Sequence, residues 1–201
     1  MKRLAVMAAL GFALGTSQAE INLTPGRSVR ELDGCKFDQL EFRDGGKKIT
    51  YELPKGWTSV PQDKHTLTLV PPNKNMVSAK IKFLPIPGPL VLDEVQLKHL
   101  KDTASQLLPP ESRIMVEPTV TPNPLLLNEH PTCEIDILFV LHSQRLRMSV
   151  LFVDLGDSQL RFSLVSRSAD FEDLHNAFRE SWYSWQWLAK PMETAATAAP
   201  G

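Results

Sequence analysis

Residues 132 to 167 contain three runs, "TCEIDILFVL", "RLRMSVLFVD" and "QLRFSLVSR", separated only by "HSQ" and "LGDS". Connections this short join antiparallel neighbours, because parallel strands need a crossover of a dozen or more residues. Whatever else this chain builds, it must accommodate a three-stranded meander. With the simplest register, Cys133, Ile135, Ile137, Phe139 and Leu141 share a face with Leu146, Met148, Val150 and Phe152, and with Leu160, Phe162 and Leu164. The other face carries Glu134, Asp136, Arg147, Ser149, Arg161 and Ser163 among Leu138, Val140, Leu151 and Val153. It is half apolar, so it too is expected to be partly covered.

The cover comes from two helical patterns. Leu97, Leu100, Ala104, Leu107 and Leu108 recur at helical spacing after a cap at Asp93, and Pro109 and Pro110 end that helix. Phe171, Leu174, Phe178, Trp182 and Trp185 recur at steps of three and four after a cap at Asp170. The aromatic cluster "SWYSWQW" therefore reads chiefly as core: Trp182 and Trp185 lie on the stripe, Tyr183 and Trp187 off it. Upstream, "CKFDQLEF" and "ITYEL" flank the turn residues "RDGGKK" as a hairpin, and "HTLTLV" and "MVSAKIKFLPI" form a second strand pair. A strand is expected around "RIMVEP", and the proline-rich "TPNPLLLNEHP" as loop with a short strand.

At the N-terminus, Lys2 and Arg3 precede eleven residues from Leu4 to Leu14, and "GTSQA" ends at Ala19. This is the layout of a secretory signal peptide over residues 1–19, and its apolar part, roughly 16 Å as a helix, is too short to span a bilayer. Cleavage would leave 182 of the 201 residues: an extended or mobile lead-in (20–34), a single α+β domain (35–189) and a disordered tail (190–201). The expected location is periplasmic or secreted, with no membrane span. "LDGC" (32–35) has the Gly-Cys pair of a lipidation site, but Cys35 lies far beyond the apolar segment and Asp33 is unsuited to it. The only cysteines, Cys35 and Cys133, are candidates for one disulfide in an oxidising compartment; two unpaired thiols, with Cys133 as a small core residue, are the alternative.

Chemistry is scarce. Without Lys2 and Arg3 the chain has 20 basic and 23 acidic residues, which argues against nucleic acid as a partner. The five histidines fall at no metal-ligand spacing, and no nucleophile motif, CxxC pair or phosphate loop is present. No metal, cofactor or catalytic residue is expected. Glu134 and Asp136, two apart on one strand face, read as ion-pair partners of Arg147 and Arg161. One tension stands out: the simplest register sets Arg147 opposite Arg167, and like charges there are destabilising unless an anion intervenes. Arg147 and Arg167, with Trp187, are thus candidate binding residues for a carboxylate, a phosphate or an acidic partner; a solvated strand end with acidic neighbours is the alternative.

Two stretches, "ELPKGW" around Pro54, Gly56 and Trp57 and "LRFSLVSRSADFEDLHNAF", together with the order of elements over about residues 36 to 188, resemble the PsbP-like fold superfamily. That superfamily includes exported bacterial proteins, lumenal accessory proteins of photosystem II and a eukaryotic nuclear-import factor. The resemblance implies an antiparallel sheet flanked by helices, an α/β/α sandwich, in an exported bacterial member that acts by binding and assembling. The expected function is therefore a non-enzymatic accessory protein of the cell envelope that engages a protein partner. A small-ligand or metal-ion module, with Trp57, Tyr183 or Trp187 at a pocket between sheet and helix, is the second expectation.

Overall fold

The computed structural model describes residues 20–188 apart from 46, 87, 90 and 91, so the expected leader and tail lie outside the described residues. Twelve strands and two helices follow in chain order: β1 (Ile21–Leu32), β2 (Cys35–Asp44), β3 (Lys47–Tyr51), β4 (Thr58–Asp63), β5 (Thr66–Val70), β6 (Ser78–Pro85), α1 (Glu94–Gln106), β7 (Arg113–Ile114), β8 (Thr119–Pro122), β9 (Thr132–Leu141), β10 (Gln144–Asp154), β11 (Ser158–Arg167), α2 (Ser168–Trp182) and β12 (Gln186–Leu188). They form two antiparallel sheets. The small one runs β1-β2-β3-β12, and the large one β4-β5-β6-β11-β10-β9, with β7 and β8 both pairing β9.

The large sheet has a core on each face. On one, α1 lays Leu100 and Ala104 over Cys133, Ile135, Ile137 and Phe139 of β9 and Leu146, Met148, Val150 and Phe152 of β10. On the other, the small sheet and α2 share a single layer. Phe171, Leu174, Phe178 and Trp182 of α2 meet Phe162 and Leu164, while Ile21, Leu40, Phe42, Ile49 and Tyr51 fill the space beside them. The expected α/β/α sandwich is corrected accordingly. The protein is largely antiparallel β with two helices, because the lead-in pairs as a twelve-residue strand and the N-terminal hairpin becomes a second sheet. No helix among the described residues is long and apolar enough to cross a membrane.

Local chemistry explains most element ends. Asp93 caps α1, its Oδ1 accepting from the Gln96 amide at 2.8 Å. Asp170 does not cap α2, which starts earlier, with Arg167 at the cap; Asp170 sits in the first turn, where its charge suits the helix dipole, and pairs with Lys74. "LDGC" is a hairpin turn: Asp33 and Gly34 both take positive φ (51° and 77°), as mirror-image two-residue turns require. The β9–β10 turn does the same with His142 (46°) and Ser143 (63°), residues for which that conformation carries steric strain. Ser143→Gly is expected to stabilise the protein by about 1 kcal/mol. Urea titration of the two proteins would measure it, and an unchanged or lower midpoint would contradict the strain.

The meander departs from the simplest register at one place. β9 and β10 pair as expected, with Cys133 opposite Phe152 and Ile135 opposite Val150. Between β10 and β11, however, Asp154 pairs with Gln159, so Phe152 faces Arg161 and Leu151 faces Phe162. Only Leu155, Gly156 and Asp157 lie between these strands, one residue fewer than the "LGDS" turn assumed. A one-residue change of register turns every side chain of β11 to the other face. Leu160, Phe162 and Leu164 thus face α2 and the small sheet. Arg161 and Ser163, paired with Phe152 and Val150, join the α1 side.

Candidate functional site

The register places the two candidate arginines on opposite faces. Arg147 is opposite Ser166, and Arg167 opposite Leu146, so the like-charge pair does not form. Arg147 is already satisfied: Nε and Nη2 grip Asp136 Oδ1 and Oδ2 at 2.8 and 2.7 Å, Nη1 reaches Glu172, and the guanidinium lies 4.5 Å from the centre of the Phe171 ring. Hydrogen bonding to Asp136 is the main reason its pKa is raised, ahead of the opposing effect of burial. It straps α2 to β9 and β10 rather than offering a docking point. Arg167 ends β11 with Nη2 near the Met76 sulfur at 3.3 Å.

Trp187 lies elsewhere, on β12 opposite Ile49. Its ring tilts against His130 at 5.3 Å and meets Trp185 edge-on at 5.8 Å, at the margin of a cavity of about 290 Å³ shared with Asp44, Lys47 and Asp157. Tyr183 is 62% exposed. The cysteines are both unpaired, which corrects the candidate bridge. Cys35 is exposed at the end of the small sheet, whereas Cys133 is buried on the α1 face of the large sheet, with a β-layer between them. Burial, aided by the Glu134 charge, pushes the Cys133 thiol up to about 11, so it is protonated and inert at neutral pH.

A buried polar group that the sequence pattern did not single out sits beneath α2. Glu134 Oε1 takes the Ser149 hydroxyl at 2.7 Å and lies 2.7 Å from His175 Nε2. The His175 ring stacks on Phe171 (5.0 Å, 14°) and meets Trp182 edge-on at 5.9 Å. Burial pushes the Glu134 carboxyl up, but hydrogen bonds from His175 and Ser149 and the nearby cationic groups of His175 and Arg179 outweigh it, and the net shift is downward. His175 follows Phe171 by four residues and precedes Phe178 by three; that position on the apolar stripe is the signal that it is buried. The three residue types are those of a hydrolase triad, but the wiring differs. The carboxylate is central and takes both hydrogen bonds on one oxygen, so no contact here lets the imidazole accept the serine proton.

The far half of the β1–β2 hairpin stands clear of the rest of its sheet. β3 pairs β2 only from Leu40 to Asp44, so residues 35–39 extend beyond it. This overhang exposes Val29 (58%), Leu32 (51%) and Phe37 (39%). Beneath it runs a groove of about 500 Å³ with Val29, Leu40, Leu53 and Trp57 as its apolar surface and Arg27 and Lys55 at its margins. Trp57 is positioned by the "ELPKGW" strand exit, where its amide bonds the Pro54 carbonyl at 2.9 Å and its ring stacks on Phe178 at 5.9 Å. Gly56 supplies the positive φ (78°) that the turn requires.

The sequence matches no protein-family model and no curated protein. Solved structures similar to it include a Bacteroides thetaiotaomicron protein, at 9% identity and TM-score 0.44 over 71% of this chain, which spans only 46% of that one. A Pseudomonas aeruginosa protein of unknown function is similar at 12% identity and TM-score 0.42, over 82% of this chain and 98% of its own. The solution structure of cyanobacterial PsbP from Synechocystis is similar at 11% identity and TM-score 0.43, over 90% and 99%. The PsbP-like fold read from the sequence is thus represented among the structural neighbours. Likenesses of this size say nothing about activity.

Proposed function

We propose that this is a non-enzymatic accessory protein of the cell envelope that binds a protein partner through the overhanging β1–β2 hairpin. The observation that carries this reading is the hairpin itself. Beyond β3 the edge of β2 presents backbone groups at residues 35–39, beside three exposed apolar side chains and a groove floored by Trp57. An extended, partly apolar segment of a partner satisfies both features: its backbone continues the small sheet past β3, and alternate side chains enter the groove. The envelope location rests on the leader-like residues 1–19 alone.

The test is capture of partners by the tagged mature chain from the envelope of its own organism after mild crosslinking, alongside a Val29→Asp/Phe37→Asp variant. One stoichiometric partner is expected with the wild type and none with the variant, whose thermal stability should stay close to wild type because both positions are exposed. No reproducible partner, or a partner the variant retains, would defeat the reading. Among the described residues no group of three or more His, Cys, Asp and Glu side chains is placed to hold a metal ion.

A further inference from the structure

The actual register recreates, one strand over, the tension that the sequence placed at Arg147 and Arg167. Arg161 of β11 stands directly opposite Lys82 of β6, and paired residues of neighbouring strands share a face. Like charges so placed favour an anion between or beside them. The Arg161 guanidinium is half-buried and held in place twice: Nε bonds Gln159 Oε1, and the group lies 5.2 Å from the centre of the Phe152 ring. Its two terminal amino groups are the fork that matches a planar oxyanion.

Arg161 lines a cavity of about 280 Å³ between the large sheet and α1. The facing wall is one side of α1, with Gln96, His99 and Thr103 contributing polar groups and Leu100 an apolar surface. The volume is near the lower end of the range for small-molecule sites, so a small organic acid fits with room to spare. A hydrated inorganic ion would leave the apolar lining of Leu100, Ile86 and Pro89 unused, whereas a carboxylate on a short apolar body meets it.

We infer that the cavity between α1 and β11 is a binding site for a short-chain carboxylic acid, with Arg161 as its anchor. Burial lowers the arginine's pKa, and a bound carboxylate would supply a counter-charge that offsets this. The site lies on the α1 face of the large sheet, away from the layer formed by the small sheet, and stands or falls independently of the hairpin reading.

The experiment is a thermal-shift and calorimetric titration of the purified chain with sodium acetate, propionate and butyrate, against sodium chloride and inorganic phosphate at matched ionic strength. Saturable stabilisation is expected, strongest for butyrate, with a dissociation constant on the order of 1 mM. Arg161→Gln is expected to weaken butyrate binding at least roughly tenfold. Thr103→Phe, which fills the cavity from α1 and leaves the arginine in place, should abolish the response and keeps the test decisive if the arginine variant fails to fold. A response to phosphate alone, equal responses to all salts, no saturation up to about 50 mM, or undiminished butyrate binding by a folded variant would each overturn the assignment.

Discussion

Replacing Trp185 with alanine is expected to destabilise the protein by about 4 kcal/mol, the upper range for a buried aromatic. The residue is 1% exposed and lies just past the end of α2, at the point where both sheets and the helix layer meet. Its ring stacks on Phe42 of β2 at 5.5 Å, tilts against Tyr51 of β3 at 5.7 Å and meets Phe162 of β11 edge-on at 5.4 Å. Asn128 also donates to its carbonyl at 2.7 Å. Removing the indole therefore opens a void that neither sheet can fill by a local adjustment, since each is fixed by its own hydrogen bonds. Denaturant titration gives the number. Trp187→Ala, on the half-exposed margin of the same cluster, provides the comparison and should cost markedly less. Equal losses would mean that Trp185 does not join the two sheets.

The second large effect is at Glu134. Glu134→Leu is expected to cost about 3 kcal/mol, because Ser149 and His175 both lose their acceptor in a site that water barely reaches. Its pH signature separates it from simple loss of packing. The folded-state carboxyl lies below its ordinary value of 4.5, so its ionisation contributes stability that is fully present above the unfolded-state pKa. The contribution disappears as pH falls through the lowered folded value. Wild-type stability should thus drop steeply below about pH 4.5, and the leucine variant should lack this share of the drop. Parallel pH–stability curves for the two proteins would show that Glu134 is not preferentially ionised in the fold.

These two positions mark how far the sequence can be read. Trp182 and Trp185 belong to the core, as their spacing implied, but Trp185 is placed by the turn after α2 and β12 follows it; an aromatic run carries no sign of where a helix yields to a strand. The β10–β11 register was hidden because β10 is buried on both faces from Met148 to Asp154, with Leu151 and Val153 on one and Val150 and Phe152 on the other, so the hydrophobic pattern admits either alignment and only the three-residue connection decides. The docking pair at Arg147 and Arg167 was lost with that register, while the separate pairing of β11 with β6 sets Arg161 against Lys82. β4 escaped notice because Pro61 interrupts it, which an edge strand tolerates and a central one does not. Glu134 and His175 are 41 residues apart and lie on different elements, a proximity that no local pattern encodes.

The position of β12 also constrains how the chain reaches this state. The small sheet begins with the first described strand and is completed by the last, whose Gln186, Trp187 and Leu188 pair with Thr50, Ile49 and Lys48; beside that pairing the Tyr51 hydroxyl meets the Ser181 hydroxyl and the Glu52 amide donates to the Ser184 hydroxyl, across 130 and 132 residues. Contacts so remote in sequence carry a heavy loop-closure entropy before they return any stabilisation, and topologies dominated by them fold in milliseconds to seconds rather than microseconds. A chain emerging from the ribosome cannot close the layer around Trp185 until residues 185–188 have followed the two sheets out. Until then the N-terminal hairpin lacks its final neighbour, so the late synthesis of β12 makes an incomplete chain the species most exposed to mispairing.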